Sequence, residues 1–139
     1  KAYREKNWAI KAVAESMKHK QTSHGTYQYN PTNGFWYYLK KEKDAYNLLV
    51  QGSGSYLLDL WLLCVFHLRD KDEYKVKGGV RLLANVHDEC LLEFDDVDGN
   101  EEIVKKLLQD ALDLANKKIN LPLEFKCDTQ FGYKYSEIH

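Results

Sequence analysis

Val80-Arg81-Leu82-Leu83-Ala84-Asn85-Val86-His87-Asp88-Glu89-Cys90-Leu91-Leu92-Glu93-Phe94 is the stretch that decides the fold. It holds two short runs rich in strand formers, Val80 to Val86 and Cys90 to Phe94. Only His87, Asp88 and Glu89 lie between them. Strand, polar tight turn and strand predict an antiparallel hairpin.

Downstream, Asp95-Asp96-Val97-Asp98-Gly99-Asn100 is acidic. A calcium loop with Gly99 at its sixth position would begin on Phe94 and end on Lys105, neither of them an acid. The segment instead predicts a turn into a helix, with Asp98 as N-cap and Glu101 closing a capping box. That helix spans about 101–118, with Ile103, Leu107, Leu108, Ala111, Leu112 and Ala115 on one face. Beyond it, Leu121, Leu123, Phe125 and Cys127 alternate with polar residues, as in a half-buried strand.

Upstream, residues 70–79 (DKDEYKVKGG) form a charged connector, and residues 43–68 predict one long helix. The mostly apolar run Tyr56 to Phe66 contains Asp59 and has eleven residues. A membrane span needs about 20, so the run predicts a buried helix and no membrane partner. The middle of the helix, Gln51-Gly52-Ser53-Gly54-Ser55, is made of small residues. Each glycine there costs about 1 kcal/mol relative to alanine, which implies a backbone or a bulky ligand passing close by. Thr26 to Leu39 predicts an aromatic hairpin around the turn cluster Asn30-Pro31-Thr32-Asn33-Gly34. Its rings make a large adhesive surface, whose plain role is to pack on the neighbouring helix. Residues 2–18 predict a helix with Tyr3, Ile10, Val13, Ala14 and Met17 on one face. The whole is α+β, with helices on one face of an antiparallel sheet.

The 139 residues suffice for one compact domain. Apolar residues at 44% and charged residues at 29% exclude a disordered or collagen-like chain. Three cysteines without a CxxC pair argue against a disulfide framework or zinc ribbon and suit a cytoplasmic location. No secretory signal is visible. The first residue is Lys1 rather than Met, so a piece of a longer protein is expected. Net charge is -1, yet residues 1–43 hold nine Lys/Arg against three Glu. A basic first third hints at a polyanionic partner, although on charge alone an ordinary solvated face is the favoured reading.

Asp88 and Glu89 at a tight turn between apolar strands are the chemical outlier. Crowded carboxylates are relieved by a divalent cation, and hard oxygen ligands suit Mg²⁺. Two such ions serve phosphoryl transfer. A solvated turn is the plain alternative, and no second buried-looking acid supplies a bridging ligand. Ser53 and Ser55 have no evident base. His19 and His24 have no third ligand. His67 ends a helix, and the cysteines suit a core.

The segment LLANVHDECLLE, Leu82 to Glu93, closely resembles motif C of family A DNA polymerases, the group of bacterial polymerase I and related phage replicases. Lys43-Asp44-Ala45-Tyr46-Asn47-Leu48-Leu49-Val50-Gln51-Gly52-Ser53-Gly54 resembles that family's primer-template helix. Residues 26–39 resemble the hairpin before it, and Phe131-Gly132-Tyr133 through His139 resembles the family's C-terminus. The resemblance covers roughly residues 1–139 and has a phage-like aromatic hairpin.

The resemblance implies a partial palm domain: 1–42 helix plus hairpin, 43–69 primer-template helix, 80–94 motif C hairpin, 101–139 helix, strand and tail. It implies template-directed DNA synthesis with primer-template DNA, deoxynucleoside triphosphates and two Mg²⁺. Asp88 would be a catalytic metal ligand, and Glu89 the neighbouring acid with a lesser catalytic role. His87 would lie near the primer-terminal phosphate. Asn47 and Gln51 would reach the minor-groove side of the nascent duplex, with the small residues letting it approach. Lys43 replaces the usual Arg, keeping the charge without the planar fork. His139 would sit in the active-site vicinity. The motif A aspartate and the fingers pattern RxxxKxxxxxxYG do not occur here. An upstream polymerase half, in cis or trans, would have to supply them, and the piece alone is expected to be inactive. The competing expectation is a non-catalytic duplex-DNA-binding module or a degenerate remnant, with HDE as an inert turn.

Overall fold

The computed structural model describes residues 7–86 and 88–138. It is α+β, with two small antiparallel sheets and three α-helices among the described residues. The chain divides into two compact units at Tyr56/Leu57.

In the first unit, helix α1 (Trp8–Ser16) ends at Met17, whose backbone is extended. The predicted helix therefore stops short of 18, and the next residues form strand β1 (His19–Thr22). Strands β2 (Gly25–Asn30) and β3 (Phe35–Tyr38) follow, and the sheet order is β1-β2-β3, all antiparallel. The predicted aromatic hairpin is present, but it is two-thirds of a three-stranded sheet. The β2–β3 turn closes with Gly34 N–H donating to the Asn30 carbonyl at 2.9 Å, and Gly34 sits at φ 76°. A one-turn 3-10 helix, Glu42–Asp44, leads into helix α2 (Ala45–Leu68), of which Ala45–Tyr56 lies in this unit.

The small residues of α2 have a local explanation. A Cβ on Gly52 would stand 3.1 Å from both Asn30 Nδ2 and Tyr37 Cζ, so the sheet's own side chains fill that space. The Ser53 hydroxyl donates to the Leu49 carbonyl at 2.8 Å, and Asn30 Nδ2 donates to Ser53 Oγ at 3.1 Å. Asn33 Nδ2 donates to the Tyr37 hydroxyl at 2.8 Å. The turn is thus docked on the helix by amides and hydroxyls. The buried apolar side chains of this unit are Leu39 and Ala45 among the described residues, alongside buried Gln28 and Asn30. Gln28 Nε2 donates to the Ala45 carbonyl at 2.8 Å.

The second unit has the larger apolar core. Val65, Leu68, Tyr74, Val76 and Val80 pack with Val104, Leu107, Leu108, Ala111 and Ala115 of helix α3 (Asn100–Ile119). The helical periodicity placed this face correctly: apolar residues recurring every three or four positions along α3 are buried. Trp61 Nε1 donates to the Leu108 carbonyl at 3.0 Å. Within α2, Leu57, Leu58, Leu62, Cys64, Val65 and Leu68 are buried, while Leu63 is exposed. The span Glu42–Leu68 is long and apolar enough to cross a membrane by length and composition, its most apolar 18 residues having a mean hydropathy of 1.4. Its inward residues belong to this protein core.

Two local expectations fail. The capping box of Asp98 and Glu101 is absent. Gly99 holds the N-cap position at φ 88°, and α3 begins at Asn100. The buried Asn100 side chain turns away from the helix. Its Nδ2 donates to the carbonyls of Lys77 and Asp95, both at 2.9 Å, and its Oδ1 accepts from Lys77 N–H at 3.0 Å. The strand expected at 121–127 is extended chain without a ladder. Its anchor is Asn116, whose amide bonds both backbone groups of Phe125 at 2.9 and 3.0 Å. The expected alternation fails at Leu123, which is 71% exposed, and holds only from Phe125 on: Phe125, Cys127, Thr129 and Phe131 are half-buried and the residues between them exposed.

Candidate active-site turn and helix face

Strands β4 (Val80–Val86) and β5 (Glu89–Phe94) form the predicted hairpin. Val86 pairs with Glu89, Asp88 is a turn residue between the strands, and β5 starts one residue earlier than expected. Alternation on the strands explains the tip: Asp88 is exposed at the turn, and Glu89 is half-buried on the first strand residue. A register shift between Leu82 and Ala84 leaves Leu83 as a bulge, 56% exposed. The base of the hairpin is pinned by Arg81, whose Nε donates to Glu93 at 3.0 Å across the pair. Leu82 and Val86 are exposed as well. β4–β5 is a two-stranded sheet, and neither strand has a further neighbour among the described residues.

Cys90, next to Glu89, is free. Burial first, then the nearby Cys127 and Glu89, push its thiol up to about 11, so it stays protonated at neutral pH. It is a packing residue, as the sequence suggested. Among the described residues no three His, Cys, Asp or Glu side chains gather as a metal-binding group. Asp88 and Glu89 are oxygen donors of the type Mg²⁺ takes, one or two carboxylates with the rest of its shell from water and phosphate. The donor chemistry therefore fits a site completed from elsewhere. His87 and His139 lie outside the described residues.

The other predicted site residues belong to the first unit. Asn47 and Gln51 are exposed one helical turn apart on α2. Tyr46, Val50, Gly54 and Ser55 are exposed beside them, making one open stripe. Nothing lies within 4 Å of where a Gly54 Cβ would be. Gly52 and Gly54 thus differ: the first is filled by the sheet, the second faces open space. Lys43 is exposed in the 3-10 turn and lines a pocket of about 460 Å³ with Lys11, Glu15, His19 and Tyr46. Lys43, Asn47 and Gln51 are thus gathered in one unit, and Asp88 with Glu89 in the other.

The sequence reading missed the outer face of the three-stranded sheet. Lys20 pairs with Tyr27, Tyr27 with Tyr38, and Tyr29 with Trp36, so these side chains share one face. Strand β1 was hidden because His19-Lys20-Gln21-Thr22 has no apolar residue to alternate. The available signal was the absence of any Asp or Glu from Ser16 to Lys41.

No known protein family, curated protein or solved structure matches the chain.

Proposed function

We propose that the chain is the motif-C-bearing part of a family A DNA polymerase palm and takes part in template-directed DNA synthesis once the motif A and fingers regions are supplied. The observation that carries this reading is the hairpin tip, which presents Asp88 with Glu89 beside it between apolar strands. Two acids held at a hairpin tip are a poor choice for stability alone, since each repels the other's charged form.

In this reading Asp88 holds a divalent cation by its carboxylate, and Glu89 adds negative charge beside it. The cations would supply activation of the primer 3′ hydroxyl and neutralisation of charge on the α-phosphate and leaving pyrophosphate. The chain's own residues do the positioning. The open stripe of Asn47, Gln51 and Gly54 accepts the minor-groove side of a duplex, where short polar side chains meet base acceptors. Lys43 contributes charge toward the phosphate backbone. The hairpin's outer edges, without a further strand among the described residues, and exposed Leu82, Leu83 and Val86 suit coverage by the missing palm segment.

Primer extension in Mg²⁺ tests it, with the chain alone and with an upstream polymerase half carrying motif A and the fingers. Extension only on mixing supports the reading. Extension by the chain alone rejects the partial site. Duplex binding without extension in either case favours the non-catalytic module.

A further inference from the structure

The geometry points to a single-stranded nucleic-acid site on the outer face of the β1–β3 sheet, where bases stack on Tyr27, Tyr29, Trp36 and Tyr38 and lysines hold the phosphates. Strand alternation turns Phe35 and Tyr37 toward α2: the Phe35 ring meets Tyr56 at 6.4 Å, and Tyr37 lies over Gly52. The same alternation turns Trp36 and Tyr38 outward, at 40% and 54% exposure. The outward rings form two cross-strand pairs, Tyr27–Tyr38 at 5.6 Å and Tyr29–Trp36 at 5.3 Å. Exposure alone does not separate the faces, since Phe35 is 57% exposed and Tyr27 and Tyr29 are half-buried; the difference is that Phe35 and Tyr37 meet α2, whereas the other four rings pack on one another beside lysines.

Gly25 helps to set this face. It stands at φ 123°, and a Cβ there would fall 2.7 Å from Tyr38 Cε2, so the ring lies directly against bare backbone. The cations sit on the same face. Lys18 Nζ lies 5.8 Å from the Tyr29 ring centre and 5.9 Å from that of Trp36. Lys20 stands opposite Tyr27, and both lysines are exposed. From Ser16 to Lys41 the chain carries Lys18, Lys20, Lys40 and Lys41 and no acid. An acid-free cationic surface interleaved with rings complements a polyanion whose bases are free to stack. A duplex hides its base faces, so the rings favour a single strand. Ring pairs two residues apart on each strand are separated by roughly 6.7 Å, about twice the ~3.4 Å rise of a stacked strand. Successive pairs therefore suit successive bases of an unstacked chain. The site uses neither Asp88 nor the α2 stripe, so its failure leaves the polymerase reading standing, and the reverse holds.

The test is a fluorescence-anisotropy titration of the full chain with labelled dT12, U12, an abasic 12-mer and a 12-base-pair duplex. Expected is preference for dT12 or U12 over the abasic strand, with the dT12 and U12 arms separating DNA from RNA. Trp36→Ala and Tyr38→Ala should each weaken single-strand binding by at least about fivefold and leave duplex binding unchanged. Lys18→Ala with Lys20→Ala should lower the salt slope by about one unit. If the ring variants lose their folded circular dichroism, two further readouts decide: Tyr38→Ser at an exposed position, and tryptophan quenching by dT12, which should vanish in Trp36→Phe. Equal binding to the abasic strand, wild-type affinity in the ring variants, quenching that persists in Trp36→Phe, or no single-strand binding below 0.1 mM would each overturn the proposal.

Discussion

Asp88 carries the catalytic reading and is exposed at a turn. Asp88→Asn should leave the melting temperature and duplex affinity unchanged. In the complemented enzyme it should lower primer extension by about 10³-fold, the several kcal/mol that a misheld metal loses. Loss of duplex binding in that variant, or unchanged extension, rejects the metal-ligand role. The two helix glycines separate structure from function in the same way. Gly52→Ala forces Asn30 and Tyr37 to shift from 3.1 Å contacts and should cost about 1–3 kcal/mol in urea unfolding. Gly54→Ala meets open space and should stabilise by about 0.5–1 kcal/mol. If a duplex lies on that stripe, Gly54→Ala should bind it more weakly despite being more stable.

At the scale of elements, α3 is held by polar contacts at its ends as well as by its apolar face. Asn100→Ala removes three hydrogen bonds and leaves the Lys77 N–H and carbonyl without this partner, while the Asp95 carbonyl keeps its bond from Val97 N–H. The expected cost is about 2–4 kcal/mol, measured by chemical denaturation. The exposed side of α3 gives a pH dependence. Asp110 accepts hydrogen bonds from Lys106 and from the Tyr74 hydroxyl, both at 2.7 Å, and these hold its carboxyl below the usual range. A depressed folded pKa contributes stability above the unfolded value, near 3.9, and loses it as pH falls through the folded value. Urea midpoints should therefore fall below about pH 4, and Asp110→Asn should flatten that fall. The Lys106 ammonium is held above its usual range by the same bond, so its contribution is lost only as pH rises beyond 10.5.

At the scale of the whole molecule, the two units differ in what stabilises them. The first relies on Gln28, Asn30 and a docked turn, and the second on a continuous apolar core. Charge follows the same division. The first 43 residues are net basic and the remainder net acidic. Duplex binding should therefore be carried by the first unit. Lys43→Ala should lower the salt slope by about one unit, and Gln51→Ala should weaken binding with the slope unchanged. The exposed hairpin predicts self-association when nothing covers it. Leu83→Lys should reduce concentration-dependent light scattering and also lower the yield of active enzyme on complementation.

The sequence by itself determined the elements whose pattern is local. Strong apolar runs around His87-Asp88-Glu89 specified the hairpin, and helical periodicity specified the buried face of α3. It also specified the turn at Asn30 to Gly34. The exposure of Asp88 at the tip follows from the pairing of Val86 with Glu89, and this much of the site was legible in the strand pattern. What the sequence left open are choices made by partners distant in the chain. Strand β1 has no apolar alternation and exists because β2 pairs with it. The tail alternates only from Phe125 on, with Leu123 exposed, and has no strand to pair with among the described residues, so Asn116 holds it instead. Asp98 and Glu101 have capping chemistry, yet the helix start is fixed by Asn100 reaching Lys77. Gly52 and Gly54 read alike, and only the docked sheet distinguishes them. Local propensity acts over a few residues, whereas pairing, docking and exposure depend on which surfaces meet. Those meetings are set by tertiary structure.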